Sequence, residues 1–190
     1  MINIPNLLTL FRLLLIPVFL WLFYSGLETA KFWAALVFVL AAITDALDGY
    51  LARKLEQSTP FGAFLDPVAD KVMVVMALVL VTVDLQSLWM TIPALIMISR
   101  EIIISALREW MAGLGRRASV AVSGSGKLKT IFQMVALIGL IWQPGAAWLS
   151  WVMPLSWGLL YIATLLTLTS MFQYVYASRN DFGSEPEQGN

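Results

Sequence analysis

The chain has 190 residues, 59% of them hydrophobic and only 13% charged, with a mean hydropathy of +0.80. Soluble domains run at roughly 45–50% apolar and are about twice as charged, so this composition describes an integral membrane protein with little mass outside the bilayer. Twelve basic residues balance twelve acidic ones, so net charge gives no direction, and a nucleic-acid partner is not expected.

Six apolar segments follow one another, each about long enough for a ~30 Å hydrocarbon core. They are Asn6–Tyr24, Phe32–Arg53, Phe61–Val83, Leu88–Met111, Leu128–Gln143 and Trp148–Tyr176. The first lacks a basic leader region and a small-residue cleavage site, and Arg12 interrupts it, so it is expected to be retained. The fifth is short and contains glycine. Lipid admits only helices or closed barrels, and the strict alternation a barrel needs is absent. The expected fold is therefore all-α, an integral membrane bundle of six transmembrane helices. Residues 1–177 form a single membrane domain, and the polar tail 178–190 is expected to be disordered.

Even numbers of crossings put both termini on one side. Arg12, Arg53, Lys54, Arg108, Arg116, Arg117, Lys127, Lys129 and Arg179 then lie at or near that side, and only Lys31 near the other. That bias makes both termini cytoplasmic. Trp89, Trp142, Trp148 and Trp151 gather at the opposite interface, as an aromatic belt does. Arg116 and Arg117 read as a patch for lipid headgroups.

The chemistry sits between the second and third segments. Asp45 and Asp48 are three residues apart, so at about 100° per residue they share a helix face. Gly49 and Ala52 continue that face, while Gly62, Asp66 and Asp70 form a narrow stripe on the next segment. Four carboxylates at membrane depth are costly without a counter-charge. Near helix ends one or two could simply cap or solvate; four at this spacing point to a pair of divalent cations, a device for in-line phosphoryl displacement. With no Cys and no His, the ligands are oxygens, which suits Mg²⁺, Mn²⁺ or Ca²⁺. The small residues Gly49, Ala52 and Gly62 leave room beside the carboxylates for a ligand.

A second group is basic. Arg100 falls mid-span, where a charge faces a cavity or a partner. Arg108 lies about 80° around the same helix. Lys127 and Lys129 enter the next helix from the loop. Converging beside a metal site, these residues make a phosphate receptor. The alternative is ion pairing with Glu101, Glu109 or the aspartates.

The string Asp45-x2-Asp48-Gly49-x2-Ala52-Arg53-x8-Gly62-x3-Asp66-x3-Asp70 resembles the signature of the CDP-alcohol phosphotransferases, membrane enzymes of phospholipid synthesis, with every signature position filled. The resemblance implies that an alcohol displaces CMP from a CDP-linked lipid. It implies that Asp45, Asp48, Asp66 and Asp70 hold metal, two Mg²⁺ or Mn²⁺ ions. Asp70 is then also the base that deprotonates the acceptor hydroxyl. Gly49, Ala52, Arg53 and Gly62 would shape the cytidine-diphosphate pocket, with Arg53 meeting the pyrophosphate.

Three further stretches resemble the branch of that family whose acceptor is glycerol 3-phosphate. They are Asn3–Arg12, Ser99–Glu109 and Gly126–Thr130. In the first, Asn6, Thr9 and Arg12 lie at three-residue spacing and are expected near the nucleotide; the plain alternative is an interfacial helix start with a snorkelling arginine. This branch implies CDP-diacylglycerol as donor and phosphatidylglycerol phosphate as product. It also implies a homodimer in a bacterial inner membrane, with the site open to the cytoplasm. Inositol phosphate, serine and phosphatidylglycerol are rival acceptors, and a divalent-cation transporter is the rival from another class. Ser119–Ser125 has no acid or aromatic residue to read an acceptor's shape, so the residues that select among phosphorylated alcohols are not identified from sequence.

Overall fold

The computed structural model describes the backbone of residues 4–55, 60–113 and 124–178, with side chains omitted at several positions inside the helices. Among the described residues it is all-helical, with no strand. Six helices follow in order: α1 (Ile4–Tyr24), α2 (Ala30–Leu55), α3 (Pro60–Leu85), α4 (Leu88–Gly113), α5 (Gly124–Trp142) and α6 (Val152–Ser178). A short 3-10 turn, Ala147–Leu149, precedes α6. The tail expected to be disordered, and Arg116, Arg117 and Arg179, lie outside the described residues.

The expected segments and the observed helices agree to within a few residues, with one difference. The sixth helix begins at Val152, because the chain from Ala147 to Leu149 first makes a 3-10 turn. Between α1 and α2 the chain reverses at Gly26 with φ +68°, the left-handed conformation that glycine adopts at helix ends without steric cost.

Among the described residues, four stretches are long and apolar enough to cross a membrane: Leu7–Tyr24, Ala30–Leu47, Leu88–Met111 and Ala147–Tyr174. Leu128–Trp142 is a shorter apolar helix. The outward faces are largely apolar among the described residues; Leu7, Leu14, Trp21, Ile102, Leu165 and Phe172 are all exposed. Soluble monomers rarely expose such continuous apolar surface; here it is the face lipid covers.

The core is a single main cluster drawn from α1 to α6. Phe19 packs on Phe38 with ring centroids 6.0 Å apart. Leu78, Met90, Met97, Leu137, Leu140 and Leu160 are fully buried around them. The most extensive helix pairs are α1 with α2 and α5 with α6. Gly139 explains the closeness of the second pair: a Cβ there would fall 1.9 Å from Ser156 Oγ.

Polar side chains tie both ends of the bundle. At one end Lys31 Nζ donates to Asp84 Oδ2 (2.7 Å) and Gln143 Oε1 (2.8 Å), and Gln143 Nε2 donates to Asp84 Oδ2 (2.6 Å). This triangle joins the start of α2 to the ends of α3 and α5. Trp142 packs on Phe32 beside it, and Tyr161 donates its hydroxyl to the Trp89 carbonyl. The four expected belt tryptophans thus belong to this end, remote from the aspartates.

Candidate active site

The other end of the bundle holds the charged residues the sequence singled out. Asp45 and Asp48 lie in the second half of α2, and Asp66 and Asp70 in the first half of α3. α2 and α3 pack against each other, so the two stripes belong to neighbouring helices. Gly62 is buried. The side chains of Asn6, Asp48, Gly49, Ala52, Arg53, Asp66, Asp70 and Lys127 lie outside the described residues.

Asp45 is described, and it has a partner that sequence reading did not assign. Arg12 Nη1 donates to Asp45 Oδ1 at 2.5 Å. Arg12 is 1% exposed and Asp45 40%, so α1 inserts a buried guanidinium against the aspartate helix. Thr9, one turn earlier on α1, is fully buried. Arg12 does not snorkel outward here; it turns inward to an acid. Asp45 Oδ2 keeps no hydrogen-bond partner among the described residues, so the pair leaves a carboxylate oxygen for another cation.

The basic group assembles on α4, α5 and α6. Arg100 is buried. Its Nη1 donates to Glu101 Oε1 at 3.0 Å and its Nη2 to Ser170 Oγ at 3.4 Å. Lys129, also buried, donates Nζ to the same Glu101 oxygen at 2.7 Å. Arg108 Nη2 lies 3.5 Å from the Tyr174 hydroxyl. The Tyr174 ring takes both guanidinium groups, each 5.7 Å from its centroid, a cation–π arrangement. Arg100 Nε is buried without a hydrogen-bond partner among the described residues. Leaving a buried donor unmade is costly, and this nitrogen is a donor that no described residue satisfies.

Of the two expectations for Arg100 and Lys129, phosphate receptor or ion pair with Glu101, the structure shows the second. Both cations pair with Glu101, and Arg100 still has a donor to offer. Sequence reading missed Ser170 and Tyr174. The signal was there: Thr164, Thr167, Ser170 and Tyr174 recur every three or four residues in a mostly apolar span, and all are buried on one face of α6.

A link joins the two groups. Lys71, next to Asp70 on α3, donates to Ser105 Oγ on α4. Ser105 donates in turn to the Glu101 carbonyl at 2.7 Å. The aspartate helix is thereby fastened to the turn of α4 that carries Arg100 and Glu101.

Residues 2–172 match the model of the CDP-alcohol phosphatidyltransferase family. The chain belongs to this family. Similar curated proteins bear the name CDP-diacylglycerol–glycerol-3-phosphate 3-phosphatidyltransferase. The one from Sodalis glossinidius is 57% identical over 95% of this chain and 97% of its own length. Those from Shigella flexneri serotype 5b and Escherichia coli K12 are 58% identical over 94% of this chain and 96% of theirs.

Proposed function

We propose that the chain transfers the phosphatidyl group of CDP-diacylglycerol to glycerol 3-phosphate, releasing CMP and forming phosphatidylglycerol phosphate. The observation that carries this reading is the basic cluster of Arg100, Arg108 and Lys129, fastened through Ser105 and Lys71 to the helix of Asp66 and Asp70. Serine, being zwitterionic, has no need of three cations. The names of the similar proteins support the same acceptor.

The aspartates fit a divalent-metal site: hard carboxylate oxygens on adjoining helices, with Asp45 Oδ2 uncommitted. Asp45, Asp48, Asp66 and Asp70 would hold two Mg²⁺ or Mn²⁺ ions, whose charge offsets that of the pyrophosphate and of departing CMP. Arg53 meets the pyrophosphate, while Asn6, Thr9, Gly49, Ala52 and Gly62 border the CDP-lipid. Arg12 holds Asp45 from behind.

Arg100, Arg108, Lys127 and Lys129 receive the acceptor's phosphate. Asp70 takes the proton of its primary hydroxyl, and that oxygen attacks the phosphorus bearing diacylglycerol. The new O–P bond forms as the bond from that phosphorus to the CMP oxygen breaks. The electron pair leaves with CMP.

The same reading has all six helices crossing the membrane. The aspartate end faces the cytoplasm with both termini, in a bacterial inner membrane. Residues 1–177 act as one domain, and the chain pairs as a homodimer.

The test is CMP release by detergent-purified protein given CDP-diacylglycerol and Mg²⁺. Glycerol 3-phosphate, inositol 1-phosphate, serine and phosphatidylglycerol are compared as acceptors. Release only with glycerol 3-phosphate, abolished by EDTA and restored by Mg²⁺, is the expected result. Release with another acceptor overturns the acceptor assignment; cation uptake into liposomes without any CDP-lipid, and no CMP release, overturns the enzyme.

A further inference from the structure

Glu101 commits only one of its two carboxylate oxygens to the basic cluster. Oε1 accepts from Arg100 Nη1 and from Lys129 Nζ, while Oε2 has no hydrogen-bond partner among the described residues. The side chain is 22% exposed, so a small molecule can reach it. Its position is fixed from two sides: two cations grip Oε1, and the Ser105–Lys71 link holds its backbone against α3.

A carboxylate inside a phosphate receptor has two effects on a phosphorylated alcohol. It repels the phosphate, which is driven toward the guanidinium groups of Arg108 and Arg100. It attracts hydroxyl groups, because an O–H donor to an ionised carboxylate makes a short, charge-assisted bond. The acceptor is thereby oriented, phosphate toward the arginines and Tyr174, hydroxyls toward Glu101 and α3.

Resting on the acceptor assignment above, we propose that Glu101 is a specificity-determining residue: its Oε2 accepts a hydrogen bond from the secondary hydroxyl of glycerol 3-phosphate. The primary hydroxyl is then left to Asp70. This supplies the selecting residue that the loop Ser119–Ser125 lacks.

The experiment compares glycerol 3-phosphate with 3-hydroxypropyl phosphate, which keeps the phosphate and the primary hydroxyl and lacks the secondary one. The full chain in detergent, with CDP-diacylglycerol and Mg²⁺, is expected to prefer glycerol 3-phosphate by about tenfold in kcat/KM, the effect of one hydrogen bond to a charged group. Glu101→Ala is expected to bring that ratio close to one, and Glu101→Gln to reduce it severalfold. Should the alanine variant fail to fold, the glutamine variant carries the comparison. No preference in the unsubstituted protein overturns the proposal. So does an unchanged ratio in the variants with both rates lowered, which would mean that Glu101 merely holds Arg100 and Lys129. If glycerol 3-phosphate is not an acceptor at all, the proposed function itself has failed.

Discussion

Arg12 on α1 and Asp45 on α2 meet through Nη1 and Oδ1 at 2.5 Å, one side chain almost wholly buried and the other open to the site. The asymmetry decides what each substitution does. Asp45→Asn keeps the shape but removes the charge facing a buried guanidinium, and hydrogen bonds to charged groups contribute roughly 1.5–3 kcal/mol. Arg12→Met removes the buried charge itself and leaves a carboxylate that water can reach. Thermal unfolding in detergent is expected to show Asp45→Asn as the less stable of the two. An equal or greater loss in Arg12→Met would mean that Arg12 is held mainly by other groups.

Asp70→Asn removes a proton acceptor without changing size. A positioned general base contributes on the order of 10²–10⁴ in rate, so turnover with glycerol 3-phosphate is expected to fall by at least that much. Binding of CDP-diacylglycerol, measured by ligand-induced thermal stabilisation, is expected to persist. Near-normal turnover would remove the base assignment.

Tyr174 offers its ring to two guanidinium groups at once. Cation–π contacts contribute about 0.5–2 kcal/mol each. Tyr174→Leu is therefore expected to raise KM for glycerol 3-phosphate by about threefold to tenfold, with KM for CDP-diacylglycerol little changed. Tyr174→Phe keeps the ring and gives up the hydroxyl's long contact to Arg108, so it is expected to stay near the unsubstituted protein. A larger loss in the phenylalanine variant would transfer the role to the hydroxyl.

These residues mark what the sequence could and could not disclose. The aspartate string was legible because helical spacing alone puts acids on common faces, and because acids are rare in apolar spans. The helices were legible because lipid leaves the backbone few choices. The Arg12–Asp45 pair was not, since nothing in a sequence says which helix turns an arginine inward. Glu101 was visible only as a competitor for the cations; that it shares one oxygen between two of them is a matter of how α4 meets α5. Tyr174 sits in α6, and the hydroxyl spacing of that helix gains a meaning only once α4 is seen against it.

Asp84 sits at the polar end of the bundle opposite the aspartate string. Partial burial pushes its carboxyl up, but the bonds from Lys31 and Gln143 and the charge of Lys31 outweigh that and hold it below the ordinary aspartate range. A depressed folded-state value means stability that is present above the unfolded value and lost as pH falls through the folded one. Asp84→Asn is expected to cost up to about 1 kcal/mol at pH 7, as partly exposed pairs do. The gap to the unsubstituted protein is expected to narrow in acid, below the usual aspartate range. A gap that stays constant to pH 3 would show that the carboxylate charge contributes nothing there.

Gly139 sets how closely α5 can approach α6, and α5 carries Lys129 to Glu101. An added Cβ would lie 1.9 Å from Ser156 Oγ, 3.1 Å from Ser156 Cβ and 3.2 Å from Val152 Cγ1. Ser156 is itself buried and bonded to the Val152 carbonyl at 2.7 Å, so it cannot swing aside without breaking that bond. Overpacking of this kind costs roughly 1–3 kcal/mol. Gly139→Ala is expected to lower the unfolding temperature and, by displacing α5, to raise KM for glycerol 3-phosphate more than KM for CDP-diacylglycerol. Adding Ser156→Ala removes the closest clash but not the contact at Cβ, so the double variant is expected to recover part of the stability, not all. No recovery would place the strain at Val152 instead, and no loss in Gly139→Ala would mean that α5 and α6 slide apart without cost.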